Sequence, residues 1–122
     1  MKTNTAIEVR NLITHYGDRA ILKDISFSIP KGRTTVILGG SGCGKSTLLK
    51  HLIGLLKPTS GSILINDQDI ARMDEAALLE MRKKIGILFQ GAALLNSLTI
   101  AENVALPVIE HTKLEKSTVD IM

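Results

Sequence analysis

The sequence predicts an α/β fold, and three observations carry that reading. A continuous apolar, β-branched run, Thr35 to Leu38 (TVIL), leads straight into glycines, as does a strand covered on both faces in a parallel sheet. After Gly44 the apolar positions recur at helical spacing. Ahead of both, two segments alternate apolar and polar residues, the pattern of antiparallel strands with one wet face.

Taken in order, Ile7, Val9 and then Leu12 follow the alternation of a half-buried strand, and Ile25, Phe27 and Ile29 alternate with Ser26 and Ser28 more cleanly still. Beyond Gly44, Leu48, Leu49, Leu52, Ile53 and Leu56 mark the apolar face of a helix. Lys50, His51, Gly54 and Lys57 fall on its other side, and Pro58 is expected to end it. Thr59 to Gly61 is turn chemistry, Ile63 to Ile65 a short strand, and Asn66 to Asp69 a polar turn. Asp74 is placed to cap a helix through Lys84, with Glu80 and Lys84 paired at i,i+4. A second buried strand, Ile85 to Phe89, follows. Thr99 and Glu102 make a capping box ahead of Val104, Ala105 and Leu106, and Pro107 is expected to kink or stop that helix. Thr112 to Met122 is polar, with no evident partner element. No repeat, low-complexity tract or linker subdivides the chain.

Length and composition bound the function. The 122 residues suffice for one compact domain at most, and a second domain is not expected. With 44% hydrophobic and 22% charged residues a packed core is expected, and with aromatics at 2% that core must be aliphatic. The three aromatics, Tyr16, Phe27 and Phe89, cannot build a stacking platform for nucleic acid, and the net charge of +3 is scattered rather than gathered into a basic stripe. Its densest cluster, Arg82, Lys83 and Lys84 beside Glu80, reads as a solvated helix end. The start, MKTNTAIEVRNL, lacks the apolar stretch of a signal peptide, and no window approaches the ~18 apolar residues of a membrane span. A cytosolic chain is expected, and a single cysteine, Cys43, agrees with a reducing compartment.

Gly39 to Thr47 reads GGSGCGKST, a full GxxxxGK[ST] between a buried strand and an amphipathic helix. Glycines at Gly39, Gly40, Gly42 and Gly44 permit backbone angles that curl successive N–H groups around phosphate oxygens, and the helix N-terminus adds partial positive charge at the same point. Lys45 would reach the β- and γ-phosphates of a nucleotide, the Ser46 hydroxyl would ligate Mg²⁺, and Thr47 would add a donor to the α-phosphate. Ser41 and Cys43 fill the free positions of the loop, Cys43 as a small filler. The competing explanation, a glycine-rich turn with a chance lysine, arises in on the order of one chain in several hundred of this length. The flanking strand and helix make it rarer.

A P-loop does not choose among GTPases, kinases, helicases and transporter ATPases. Guanine recognition through NKxD is disfavoured, because the nearest string, Asn66 to Asp69 (NDQD), has an aspartate where lysine is needed. By order and spacing the sequence resembles the ABC transporter nucleotide-binding domain along nearly its whole length. The resemblance rests on Tyr16 in HYGD, Gly39 to Thr47, the segment PTSGSILINDQDI and Gln90 in ILFQ. It implies a P-loop NTPase of the RecA-like type with an antiparallel β-subdomain. It also implies that Tyr16 stacks on adenine and that Gln90 touches Mg²⁺ and the attacking water. Taken alone, Tyr16 would be an ordinary core or surface tyrosine. The run GAALLNSLTIAENVALPVIEHT after Phe89 and Gln90 is similar to the ATPases of Mla-type phospholipid and solvent-tolerance systems. Gly40 departs from the family, which mostly has proline there, a change expected to barely alter phosphate binding. His15, His51 and His111 lack metal-ligand spacing and read as bland polar residues, leaving Mg²⁺ as the expected metal.

The residues after Gln90 contain no LSGGQ signature, no apolar strand ending in Asp-Glu and no switch histidine. Ile63 to Asp67 (ILIND) superficially resembles a Walker B strand, but Asn66 interrupts it and no glutamate follows. The expectation is a truncated domain, 1–122 spanning A-loop, Walker A and Q-loop, that binds ATP and Mg²⁺ weakly and does not turn ATP over by itself. Two central parallel strands would be missing, leaving apolar edges exposed. The resemblance implies two partners, a transmembrane permease subunit and a second nucleotide-binding subunit in a homodimer. It places the chain on the cytoplasmic face of the inner membrane, touching the membrane only through the permease. From a different class, the alternative is a non-hydrolysing fragment that binds nucleotide or permease.

Overall fold

A computed structural model describes residues 4–91 and 93–122. Ala92 of the run after Gln90, and the first three residues of the leader-region reading, lie outside the described residues. The chain divides into two compact units, 1–82 and 83–122.

In the first unit, β1 (Thr5–Tyr16) and β2 (Arg19–Pro30) form a long antiparallel hairpin. Two shorter strands, β3 (Ser60–Ile65) and β4 (Gln68–Asp69), complete a sheet of order β2-β1-β3-β4. The register pairs Val9 with Phe27, Leu12 with Ile25 and Thr14 with Leu22. Strict alternation would put Val9 and Leu12 on opposite faces, yet both are buried. A bulge at Asn11, with φ 48°, absorbs the extra residue. Its backbone N–H donates to Ser26 Oγ at 2.8 Å and its side chain to Asp24 Oδ1 at 2.9 Å. Gly61 faces this bulge: a Cβ there would collide with the carbonyl oxygen of Asn11 and lie 2.7 Å from that of Arg10. Asn66 and Asp67, at φ 47° and 66°, make the two-residue turn between β3 and β4.

Helix α1 (Lys45–Leu52) lays Leu48 and Leu52 on the sheet, where they join Val9, Leu12, Leu22, Ile63, Ile70 and Leu78 in one aliphatic core. It is shorter than the periodicity predicts. Gly54, at φ 75°, terminates it well before Pro58, because a left-handed residue ends the helical ladder. Asp69 caps a short 3₁₀ turn over Ile70–Arg72. Asp74 Oδ1 then accepts from the Ala77 N–H at 2.8 Å to start α2 (Glu75–Arg82), which stops before Lys84.

Neither predicted parallel strand forms among the described residues. Thr35 to Leu38 and Ile85 to Phe89 carry no ladder, and Val36, Leu38 and Leu88 are 70%, 87% and 83% exposed. An apolar β-branched run records a preference for two covered faces, but a strand exists only where neighbours supply hydrogen bonds.

In the second unit, Thr99 caps α3 (Ile100–His111), its hydroxyl accepting from the Glu102 N–H at 3.1 Å. Pro107 does not stop this helix, which continues to His111. The missing N–H costs one bond in an exposed helix, and the helix absorbs it. The polar tail does have structure: α4 (Lys116–Ile121) packs on α3 around a cavity of about 350 Å³ lined by Ala105, Ile109, Leu114 and Val119.

Candidate nucleotide site

The loop Gly39–Gly44 turns tightly on itself. Cys43 N–H donates to the Gly40 carbonyl at 3.3 Å, and Gly42 and Gly44 take φ values of 78° and 101° that side chains resist. Gly39 has a separate constraint: a Cβ there would lie 2.5 Å from Cys43 Sγ. Gly44 is pressed against the hairpin, its Cβ position 3.0 Å from Leu22 Cδ2. Gly40, by contrast, has open space around its Cβ position.

Gly44 forms the N-cap of α1 with no side-chain cap, and no acid stands in the first turn. The first intrahelical bond is donated by Leu48 to the Gly44 carbonyl at 2.8 Å, so the preceding N–H groups of Lys45, Ser46 and Thr47 have no helical acceptor. That end of α1 is an uncompensated positive pole. Lys45 folds back over it, its ammonium donating to the carbonyls of Gly39 and, at 3.2 Å, Gly40. The donor set fits a polyphosphate: backbone N–H groups, one ammonium and no competing carboxylate. Ser46 is exposed in the same turn. Among the described residues no group of three His, Cys, Asp or Glu gathers to hold a metal. Beside the loop lies a mostly apolar cavity of about 230 Å³, lined by Phe27, Ile37, Leu38 and Leu48 and edged by Gly44 and Lys45.

Tyr16 ends β1 opposite Arg19 and is 53% exposed. The strand end is pinned from the other side: Thr59 N–H donates to the Ile13 carbonyl at 2.9 Å, and Thr59 Oγ1 accepts from His15 N–H at 3.2 Å. Gln90 is exposed at the turn after Phe89, in the second unit.

His51 departs from the expectation of a bland polar residue. It is fully buried, with Nδ1 2.7 Å from the Thr47 carbonyl and Nε2 2.8 Å from Thr14 Oγ1. A carbonyl only accepts, so Nδ1 carries a proton and donates to it. The signal was present: His51 stands three residues after Leu48 and one before Leu52, on the face both bury. Arg82 departs from expectation as well. Rather than a solvated charge, it donates from Nε to the Ile53 carbonyl at 3.0 Å and from Nη2 to that of Gly54 at 2.9 Å, capping α1 from α2.

A sequence profile of the ABC transporter family matches residues 22–121. The chain is 44% identical over 119 residues to a probable ribonucleotide transport ATP-binding protein of Mycobacterium leprae, covering 98% of this chain and 34% of the relative. It is also 44% identical over 113 residues to the intermembrane phospholipid transport system ATP-binding protein of Haemophilus influenzae, covering 93% and 43%. Among solved structures it superposes with TM-score 0.83 and 32% identity on an ATP-binding cassette dimer in a post-hydrolysis state with ADP and Pi, covering 93% of this chain and 52% of that one. The chain thus spans about a third to under half of these curated relatives.

Proposed function

The chain belongs to the ABC transporter family, and from that premise we propose that it is the ATP-binding portion of a transporter ATPase, comprising A-loop, Walker A and Q-loop. The observation that carries this is the uncapped N-terminus of α1 under the Lys45 ammonium, an anion cradle with no acid to spoil it. In this reading Lys45 exchanges the Gly39 and Gly40 carbonyls for phosphate oxygens, which releases it without leaving a buried charge. The N–H groups of Gly42 to Thr47 wrap the phosphates, Tyr16 stacks on adenine, and Ser46 and Gln90 serve Mg²⁺. Bound Mg²⁺ would neutralise charge on the β- and γ-phosphates. Gln90 also positions the attacking water.

These 122 residues hold no apolar strand ending in Asp-Glu to complete hydrolysis, so binding without turnover is the expected behaviour of the purified chain. An ATPase rate above background that Lys45→Ala abolishes contradicts this. For the transported substrate we favour phospholipid, supported by the run after Gln90 and by the Haemophilus influenzae relative. The Mycobacterium leprae relative, at equal identity, carries a ribonucleotide description. Partners on this reading are a transmembrane permease and a second copy of the ATPase, with membrane contact only through the permease. Among the described residues no helix is long and apolar enough to cross a membrane. Co-expression with a transmembrane permease of a phospholipid transport system, followed by measurement of phospholipid transfer and its loss with Lys45→Ala, tests the assignment. Transfer unaffected by the substitution contradicts it.

A further inference from the structure

The mechanism above makes no use of His51, although it is a wholly buried imidazole with both ring nitrogens engaged. Its two partners belong to the two ends of the nucleotide site. Thr47 is the last residue of the phosphate loop motif, and Thr14 stands two residues before Tyr16 on β1. With Nδ1 donating to Thr47, the neutral ring leaves Nε2 to accept from the Thr14 hydroxyl.

A second contact falls on the same rung of the hairpin. Thr14 pairs with Leu22, and Leu22 is the side chain against which Gly44, the N-cap of α1, is pressed. Helix α1 therefore grips one rung of the β1–β2 ladder at both of its ends, by van der Waals contact at Gly44 and by hydrogen bond at His51. Only the second is directional. A buried hydrogen bond fixes spacing and orientation where apolar packing alone tolerates sliding. Thr59 holds the backbone of β1 on either side of that rung, at Ile13 and His15, while Tyr16, Gly17 and Asp18 just beyond it are exposed.

We propose that His51 is a positioning residue that couples the phosphate loop to the adenine-stacking tyrosine, through the Thr47–His51–Thr14 bridge. This rests on the reading that Tyr16 stacks on adenine, and the experiment separates the two. The affinities of the full chain for ATP and for inorganic tripolyphosphate are measured for wild type, Thr14→Val, Tyr16→Ala and the double variant, with a thermal melt for each. Thr14→Val should weaken ATP about fivefold, the scale of one net hydrogen bond, while tripolyphosphate moves less than about twofold. In the Tyr16→Ala background Thr14→Val should no longer affect ATP. Thr14→Ser, which keeps the hydroxyl, should restore the wild-type ratio. If Thr14→Val does not fold, His51→Asn carries the same measurement, since its shorter side chain can reach the Thr47 carbonyl but not Thr14. Equal weakening of both ligands, or a lowered melting temperature with the ATP to tripolyphosphate ratio intact, overturns the proposal. A ratio insensitive to Tyr16→Ala overturns the adenine reading, and the coupling with it. A ratio sensitive to Tyr16→Ala but not to Thr14→Val overturns the coupling alone.

Discussion

Arg82 Nε lies 3.0 Å from the carbonyl oxygen of Ile53, so a guanidinium on α2 closes the end of a helix 29 residues earlier in the chain. Its second bond, to Gly54, makes the cap bidentate. Its link to the exposed Glu75 is longer, at 3.4 Å. Arg82→Ala should destabilise the first unit by roughly 1–3 kcal/mol, because two carbonyls lose a charged donor. Glu75→Ala should change stability by less than about 0.5 kcal/mol, as exposed pairs do. Urea unfolding of both variants checks the order, and equal losses would show that the ion pair, not the cap, matters.

The glycines should behave unequally. Gly54 has φ 75°, and its Cβ position lies 2.9 Å from Leu78 Cδ2, so Gly54→Ala combines strain with a clash and should cost about 1–3 kcal/mol. Gly40→Ala meets open space and a permissive backbone, so both stability and nucleotide affinity should stay close to wild type. Thermal melts paired with nucleotide titrations read both effects. A Gly40→Ala variant with weakened binding would mean that the loop needs more freedom there than its geometry shows.

In the second unit Asn103 organises the turn before α3. Its Oδ1 accepts from the Leu95 N–H at 2.9 Å, and its Nδ2 donates to the carbonyls of Leu95 at 3.1 Å and Thr99 at 2.8 Å. Asn103→Ala should speed hydrogen exchange at the Leu95 amide by at least about tenfold while leaving β1 and β3 unchanged. Unaltered exchange at Leu95 would show that the turn holds without this side chain.

How far the sequence was legible follows from where each signal lives. The glycine turn ahead of α1 was legible because its residues and their spacing lie in one short stretch of sequence. The Thr99 and Asp74 caps were equally local. What misled were signals completed by distant partners. Thr35 to Leu38 has a strand's composition but no ladder, and Arg82 found its acceptors on another helix. Of the two outcomes expected at Pro107, a kink or a stop, the stop does not occur, because α3 tolerates one lost hydrogen bond. For His51 polarity suggests exposure, but its spacing from Leu48 and Leu52 sets it on the buried face.

The hairpin should show a small acid dependence. The hydrogen bond from Arg10 holds the Glu8 carboxylate below the usual glutamate range. A depressed carboxylate pKa contributes stability above its unfolded value and loses it as pH falls through the folded one. The loss should therefore appear on the acidic side of the ordinary glutamate titration and be absent in Glu8→Gln. Both groups are solvent-exposed, so salt should weaken the effect. A Glu8 titration at or above the ordinary glutamate range, followed by NMR, would contradict the assignment.

The central claim is that the Gly39–Thr47 loop binds the phosphates of ATP through Lys45 and the start of α1. The most direct test is titration of the purified chain with a fluorescent ATP analogue, with and without Mg²⁺, for wild type and Lys45→Ala, alongside light scattering. Saturable binding by a monodisperse sample, tightened by Mg²⁺ and weakened at least about tenfold by Lys45→Ala, is the predicted result, the scale of one charged hydrogen bond. Saturable binding of the same strength in a folded Lys45→Ala variant would contradict it.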